Sequence, residues 1–152
     1  MLGLAEPQDL ITAASGAPLL HVAAHGAHDN DNPLFSSLEM SAGLVFGHDL
    51  TRLPEPPRHV VLSACDLGLA TVRPGGESLG MTAALLHGGT GSVVAGVARV
   101  ADEIACEVAV AYHQRLSTGQ QPSYALAGAL AATGADGRGD HLAPLSCFGS
   151  GW

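Results

Sequence analysis

Three mostly apolar runs, rich in small aliphatic residues, constrain the fold of this chain more than any other feature. They cover residues 19–24, 59–64 and 92–97. Runs of this length without polar alternation are typical of strands buried on both faces of a sheet. Apolar residues recur at helical spacing over residues 77–87, 102–116 and 122–132. Strands that alternate with helices predict an α/β protein with three layers and a mostly parallel sheet.

Shorter patterns predict the remaining elements. We expect a helix within residues 6–15, a hairpin formed by residues 37–40 and 44–46, one helical turn over residues 49–53 and a last strand over residues 145–148. The sheet is small for its class, and little strand precedes the first helix. We therefore expect a single domain over residues 1–152 that lacks the first strands of the complete fold, so that it is incomplete at its N-terminus.

Composition excludes several functional classes. The 152 residues are 47% hydrophobic and 13% charged, which a disordered polymer would not be. A net charge of −8 with only six basic residues argues against nucleic-acid binding and against a cationic membrane surface. The sequence has no apolar window long enough to span a bilayer and no basic secretory leader. The excess of acidic residues favours a basic substrate or partner.

The cysteines indicate a reducing compartment. Three cysteines, at positions 65, 106 and 147, are an odd number and too few for a disulfide framework. Free thiols and a cytoplasmic location are the corresponding prediction.

Two of the predicted strands lead into residues that can carry out nucleophilic chemistry. The first run is followed by His25 and the second by Cys65. If the two strands are neighbours, their ends lie about 5 Å apart, so that an imidazole and a thiol can reach each other. Cys65 is then the candidate nucleophile and His25 the candidate general base. The backbone N–H groups of Gly26 and Cys65 are candidates for an oxyanion hole, because glycine allows a substrate carbonyl to approach closely.

The same residues resemble a known family. His25-Gly26 after one apolar strand and Leu62-Ser63-Ala64-Cys65 at the end of the next are similar to the CHAT domain, a branch of the caspase-like (clan CD) cysteine peptidases. Residues 33–38, 75–80 and 88–94 also resemble the family's hairpin entry, its helix start after the cysteine and its next strand. The resemblance implies a caspase-like fold, a dyad of His25 and Cys65, and hydrolysis of peptide bonds through a thioester without a metal or organic cofactor. It also implies control by tetratricopeptide-type repeats.

Three acidic residues are candidates for contact with a basic substrate side chain, namely Asp66, Glu77 and Asp102. An alternative interpretation is that Glu77 and Asp102 only favour the first turns of helices. A metal site made by His21, His25, His28, Asp29 and Asp31 is disfavoured. In a strand, His21 and His25 would lie about 13 Å apart, which is too far for one ion. We interpret His48, His59, His87, His113 and His141 as surface or helix-end residues.

A second function class remains open at this point. The chain could be a non-catalytic interaction module or split fragment of the same family, which docks on a partner or on itself through an uncovered sheet edge. The peptidase hypothesis requires a protein or peptide substrate, whereas the module requires only a partner chain.

Overall fold

A computed structural model describes residues 6–27, 29, 32–63, 76–97, 101–134 and 143–150. The three apolar runs form strands that are separated along the chain by helices, as the sequence predicts. The helices are α1 (Pro7–Ala14), α2 (Gly47–Thr51), α3 (Gly76–His87), α4 (Asp102–Ser117) and α5 (Pro122–Gly134), with a 3₁₀ turn at Pro33–Phe35. The strands are β1 (Leu20–Ala23), β2 (His25–Ala27), β3 (Ser37–Met40), β4 (Gly43–Phe46), β5 (His59–Ser63), β6 (Ser92–Gly96) and β7 (Leu145–Gly149).

The strands form two sheets. The larger one has the order β1-β5-β6-β7, in which β1, β5 and β6 are parallel and β7 is antiparallel to β6. The smaller one has the order β2-β3-β4 and is antiparallel throughout. The predicted mostly parallel sheet, the hairpin and the last strand are therefore confirmed.

Helices cover both faces of the larger sheet. On one face, Leu10 of α1, Leu50 of α2 and Met81 of α3 share a core with Val60, and this core extends to the hairpin. On the other face, Val108 and Tyr112 of α4 and three residues of α5 form a second core with Val61 and Val94. Neighbouring residues of β5 thus belong to different cores, as the alternation of side chains along a strand requires. The result is the predicted three-layer α/β arrangement, consistent with a caspase-like fold.

Strand β1 differs from the prediction of burial on both faces. Leu20 and Val22 are buried, but His21 and Ala23 are exposed. In β5 and β6 the first four residues of each strand are all buried. The second core joins α4 and α5 to β5 and β6, and it contains no residue of β1. One face of β1 therefore remains accessible, although its sequence is as apolar as that of the covered strands.

Side-chain caps explain two helix boundaries. The N–H of Glu6 donates to Asp9 Oδ2, and Pro7 occupies the first position of α1, where its missing N–H costs nothing. The N–H of Phe46 likewise donates to Asp49 Oδ2. Helix α2 consequently starts at Gly47, two residues before the predicted turn. The sequence also predicts loops over residues 66–76 and 134–140. Gly76 instead begins α3 and Gly134 ends α5, and the other residues of both loops lie outside the described residues.

Candidate functional site

The carboxyl ends of β1 and β5 lie side by side. The two strands pair in parallel, and the last residues of each, Ala23 and Ser63, are partners in the register. The strands that precede His25 and Cys65 are therefore neighbours, which is the condition that the dyad hypothesis requires. In sequence, His25 and Cys65 each follow these partners by two residues.

The structure corrects the position of His25. We expected it directly at the end of a buried strand, but β1 ends at Ala23 and His25 begins β2. There His25 pairs with Glu39 and Gly26 pairs with Leu38 of the antiparallel hairpin. The His25 side chain is exposed and Gly26 is half-buried. The second sheet thus continues from the end of the first, and the hairpin fixes the backbone of both residues.

The other predicted site residues are described to different degrees. Cys65 and Asp66 lie outside the described residues. Glu77 is the second residue of α3. Asp102 is the first residue of α4 and is exposed, a position where a carboxylate favours the helix N-terminus. The described residues therefore bring together the strands that precede the predicted dyad residues, whereas the dyad itself and the roles of the three acids remain predictions.

A histidine pair joins α4 to the ends of β1 and β5. His21 Nε2 lies 2.8 Å from Ser63 Oγ, and His21 Nδ1 lies 2.9 Å from His113 Nε2. The two imidazole rings stack with their centroids 4.9 Å apart. His21 is exposed and His113 is half-buried. Sequence reasoning missed this arrangement, because it treated His21 as a doubtful metal ligand and His113 as a surface residue.

A second series of hydrogen-bonded polar side chains lies fully inside the protein. His59 is only 1% exposed, so its interpretation as a surface residue is wrong. Its Nδ1 lies 2.8 Å from Ser92 Oγ and 3.2 Å from the Ser92 carbonyl oxygen. Its Nε2 lies 2.8 Å from the hydroxyl of Tyr112, which is also 1% exposed. Because a carbonyl can only accept, Nδ1 carries the proton and Tyr112 donates to Nε2.

The surroundings of these histidines favour their neutral forms. Burial, and then the proximity of His113, lower the pKa of His21. Burial also lowers the pKa of His113. For His59, burial and the proximity of His113 lower the pKa, while the hydrogen bond to the Ser92 backbone opposes them. Burial, followed by the proximity of Cys147, raises the pKa of Tyr112, so its hydroxyl stays protonated. All three imidazoles can therefore act as hydrogen-bond acceptors at neutral pH.

Acid is expected to lower the free energy of unfolding. Since the folded state lowers the pKa values of His21, His59 and His113, the unfolded chain binds more protons below the ordinary histidine pKa of about 6.5. Stability therefore falls as the pH drops through this value, and it continues to fall until the folded-state pKa values are passed. Urea unfolding at about pH 7.5 and about pH 5.5 measures the difference.

A matched variant identifies the source of this acid dependence. The double substitution His21→Gln and His113→Gln removes two of the three shifted groups. It should leave a smaller difference between the two pH values than the wild type shows. An equal difference in both proteins would contradict the assignment.

The two described cysteines are free thiols in different surroundings. Cys106 is exposed on α4, and Cys147 is half-buried in β7. Burial raises the pKa of Cys147, which lowers its thiolate fraction. Cys147 is thus a poor nucleophile, and Cys106 offers an exposed reference thiol.

One shallow cavity lies beside His59 and His113, at the amino ends of β1 and β5 and away from the strand ends that precede His25 and Cys65. Its volume is ≈ 230 Å³, and it is lined by Leu19, His59, His113, Leu116 and Ser117. Leu19 precedes β1 and His59 begins β5, so the cavity lies at the amino ends of these strands. Ligand sites for small molecules are commonly larger, at about 300–1,000 Å³. We assign it no ligand.

The described residues were also compared with the requirements of a membrane-spanning helix and of a metal site. No helix of the described residues is long and apolar enough to cross a membrane. Among the same residues, no group of three or more His, Cys, Asp or Glu side chains is arranged to hold a metal ion.

The fold and the adjoining strand ends define a class, the α/β proteins with a caspase-like arrangement of a mostly parallel sheet between helices. Comparison with protein families makes the assignment specific. The family model for the CHAT domain matches residues 1–141. This chain belongs to the CHAT-domain family. No curated protein matches the chain.

Proposed function

We propose that this chain is a caspase-like cysteine endopeptidase. Cys65 is the nucleophile, and His25 is the general base and then the general acid. The thiolate attacks the carbonyl carbon of a peptide bond, the amine leaves with a proton from His25, and water hydrolyses the thioester. Membership in the CHAT-domain family supports a relation to peptidases.

The parallel pairing of β1 with β5 is the observation that carries this proposal. Ala23 and Ser63 are register partners, so the segments that contain His25 and Cys65 start from adjacent positions. Adjacent strands are about 5 Å apart, which is within the combined reach of an imidazole and a thiol. A shift of several residues in this register would have moved the ends of the two strands apart. The two-residue offset is the same on both strands.

The oxyanion of the tetrahedral intermediate needs N–H donors, and the proposal assigns them to the backbone. Gly26 lies next to the general base and is held by the pairing of β2 with β3. The proposed second donor is the N–H of Cys65, which belongs to the nucleophilic residue itself. Two backbone donors of this kind would stabilise the charge that develops on the carbonyl oxygen.

A basic residue before the scissile bond is the proposed specificity. The chain carries 14 acidic and six basic residues, for a net charge of −8. Asp66, Glu77 and Asp102 are the proposed contacts for the substrate cation. Asp102 is exposed at the start of α4, where an incoming side chain can reach it.

A peptide library tests the proposal directly. Peptides with Arg, Lys or Asn before the cleavage site are incubated with the wild type and with Cys65→Ala, and products are identified by mass spectrometry. We expect cleavage after basic residues by the wild type alone. Cys106→Ala is the matched control, because it removes an exposed thiol from α4 and should leave cleavage unchanged. Equal cleavage by wild type and Cys65→Ala would refute the assignment of the nucleophile.

A non-catalytic interaction module is the second candidate function. Strand β1 lies at one end of the described sheet, and its face with His21 and Ala23 is exposed. We propose that in this case an extended segment of a tetratricopeptide-type partner adds a strand beside β1, because an edge strand offers unpaired backbone groups. Hydrogen exchange at the amides of residues 20–23 should then slow when such a partner is added to folded protein that cleaves no peptide. Unchanged exchange would contradict this alternative.

A further inference from the structure

We propose that Ser63 is a second nucleophile of this protein, with His21 as its general base and His113 as the residue that positions His21. The argument starts from the two hydrogen bonds of His21. Its Nε2 lies 2.8 Å from Ser63 Oγ, and its Nδ1 lies 2.9 Å from His113 Nε2. A hydroxyl bonded to one ring nitrogen and an orienting group bonded to the other make up the geometry of a serine hydrolase triad, here with histidine as the third member.

The proton positions in this chain can be worked out from donors and acceptors. If Ser63 donates to Nε2 of His21, then Nδ1 of His21 carries the ring proton. That N–H donates to Nε2 of His113, which accepts it as a neutral imidazole. Every hydrogen bond then has one proton, and Nε2 of His21 is ready to take the proton from the serine. In the proposed arrangement, His113 holds His21 in the tautomer that makes it a base, whereas the opposite direction of both hydrogen bonds would make His21 a donor to Ser63.

The buried contact between His59 and Ser92 shows why Ser92 is not proposed as a nucleophile. Ser92 Oγ lies 2.8 Å from Nδ1 of His59, but the Ser92 carbonyl oxygen faces the same nitrogen. The carbonyl requires Nδ1 to carry a proton, so this nitrogen cannot accept one from the Ser92 hydroxyl. Ser92 and His59 are also only 2% and 1% exposed. The two pairs contain the same residue types, but only Ser63 meets a nitrogen that can act as a base.

Accessibility and protonation further support Ser63. His21 is exposed on the face of β1 that the second core leaves uncovered, and Ser63 is half-buried at the end of the neighbouring strand β5. A reagent can therefore reach the pair from solvent. Partial desolvation of the ring, and then the proximity of His113, lower the pKa of His21 although the residue remains accessible, which favours the neutral form that can accept a proton.

The proposed substrate class is carboxylic esters, and the step balances without a cofactor. The Oγ of Ser63 forms a bond to the acyl carbon while its proton moves to Nε2 of His21. The ester C–O bond then breaks, and the alcohol leaves with that proton. Water attacks the acyl-serine through the same base, and the carboxylic acid leaves. This activity does not depend on Cys65 or on peptide cleavage.

Labelling with an alkyl fluorophosphonate tests the proposal. The serine oxygen forms a bond to phosphorus, fluoride leaves, and the hydroxyl proton passes to His21. The reaction is followed by peptide mass mapping on the wild type and on Cys65→Ala, so that the result is separate from the proposed cysteine peptidase. We expect one adduct at Ser63 in both proteins. The exposed Ser123 of α5 and the buried Ser92 serve as reference serines in the same digest.

Variants of the two histidines establish the mechanism. His21→Gln keeps a hydrogen-bonding side chain but removes the base, and we expect labelling to slow about 100-fold. His113→Gln should slow the labelling of Ser63 less than His21→Gln does. It should also shift the pH at which labelling declines on the acid side, which a purely structural role of His113 would leave unchanged. Far-ultraviolet circular dichroism confirms that each variant is folded.

Three results would overturn the proposal. One is a folded wild type in which Ser63 reacts no faster than Ser123, which would mean that His21 donates to the serine instead of accepting from it. Another is a labelling rate that His21→Gln leaves unchanged. The last is hydrolysis of a p-nitrophenyl ester by Cys65→Ala that persists in full when Ser63→Ala is added, since neither Cys65 nor Ser63 would then be the nucleophile.

Discussion

Replacing His25 by alanine is expected to lower kcat/KM for peptide cleavage by about 10²- to 10⁴-fold, the usual contribution of a positioned general base and acid. The remaining activity should rise with pH, because Cys65 then depends on its own ionisation and an ordinary thiol ionises at about pH 8.5. Initial rates over a pH series measure both effects. His87→Ala is the matched control, because His87 is exposed at the end of α3.

Thiol alkylation gives a readout of the same pair that requires no substrate. Near a histidine, the pKa of Cys65 should be lowered, so that iodoacetamide modifies it at about pH 6, where ordinary thiols hardly react. A thiolate of lower pKa is also less nucleophilic, which leaves a net advantage of about tenfold. Cys106 is the internal reference, because it is exposed on α4. If Cys65 reacts at the same rate in wild type and His25→Ala, the two groups do not form a dyad.

Replacing Tyr112 by alanine is expected to lower the free energy of unfolding by about 3–5 kcal/mol, as for other buried aromatic residues. The Tyr112 side chain is 1% exposed and contributes to the core between the larger sheet and helices α4 and α5. The substitution also removes the hydroxyl that donates to His59. Urea unfolding with a constant m-value measures the loss.

Two further variants separate packing from hydrogen bonding. Tyr112→Phe keeps the ring and removes only the donor to His59 Nε2, which should cost about 1–3 kcal/mol. Tyr124→Ala removes a tyrosine that is 72% exposed, and it should change stability by less than about 0.5 kcal/mol. Similar losses in Tyr112→Ala and Tyr124→Ala would contradict the described position of α4.

The order of strands and helices could be predicted from the sequence because it depends on local patterns. Continuous aliphatic runs mark β5 and β6, and helical spacing with glycine or proline at the ends marks α4 and α5. The dyad hypothesis required the strands before His25 and Cys65 to be neighbours, and the structure established that they are. The identity of the family also followed from short motifs at these strand ends.

The histidine contacts could not be predicted in this way. His59 and His113 are 54 positions apart in number, and nothing in either local pattern indicates that α4 lies over β5. A strand pattern assigns His59 and Ser63 to one face, but not the helix that covers it. The exposure of His21 likewise depends on how far α4 and α5 extend over β1.

The sequence by itself therefore determined the class of fold, the parallel core strands and the chemical types of the candidate dyad, because periodicity and local motifs are properties of a continuous segment. Only the tertiary structure decided which polar side chains meet. It placed His25 at the start of the second sheet, buried His59 beside Tyr112, and joined Ser63 to His113 through His21. These contacts depend on the docking of a helix on a sheet, and that docking is set by the whole core.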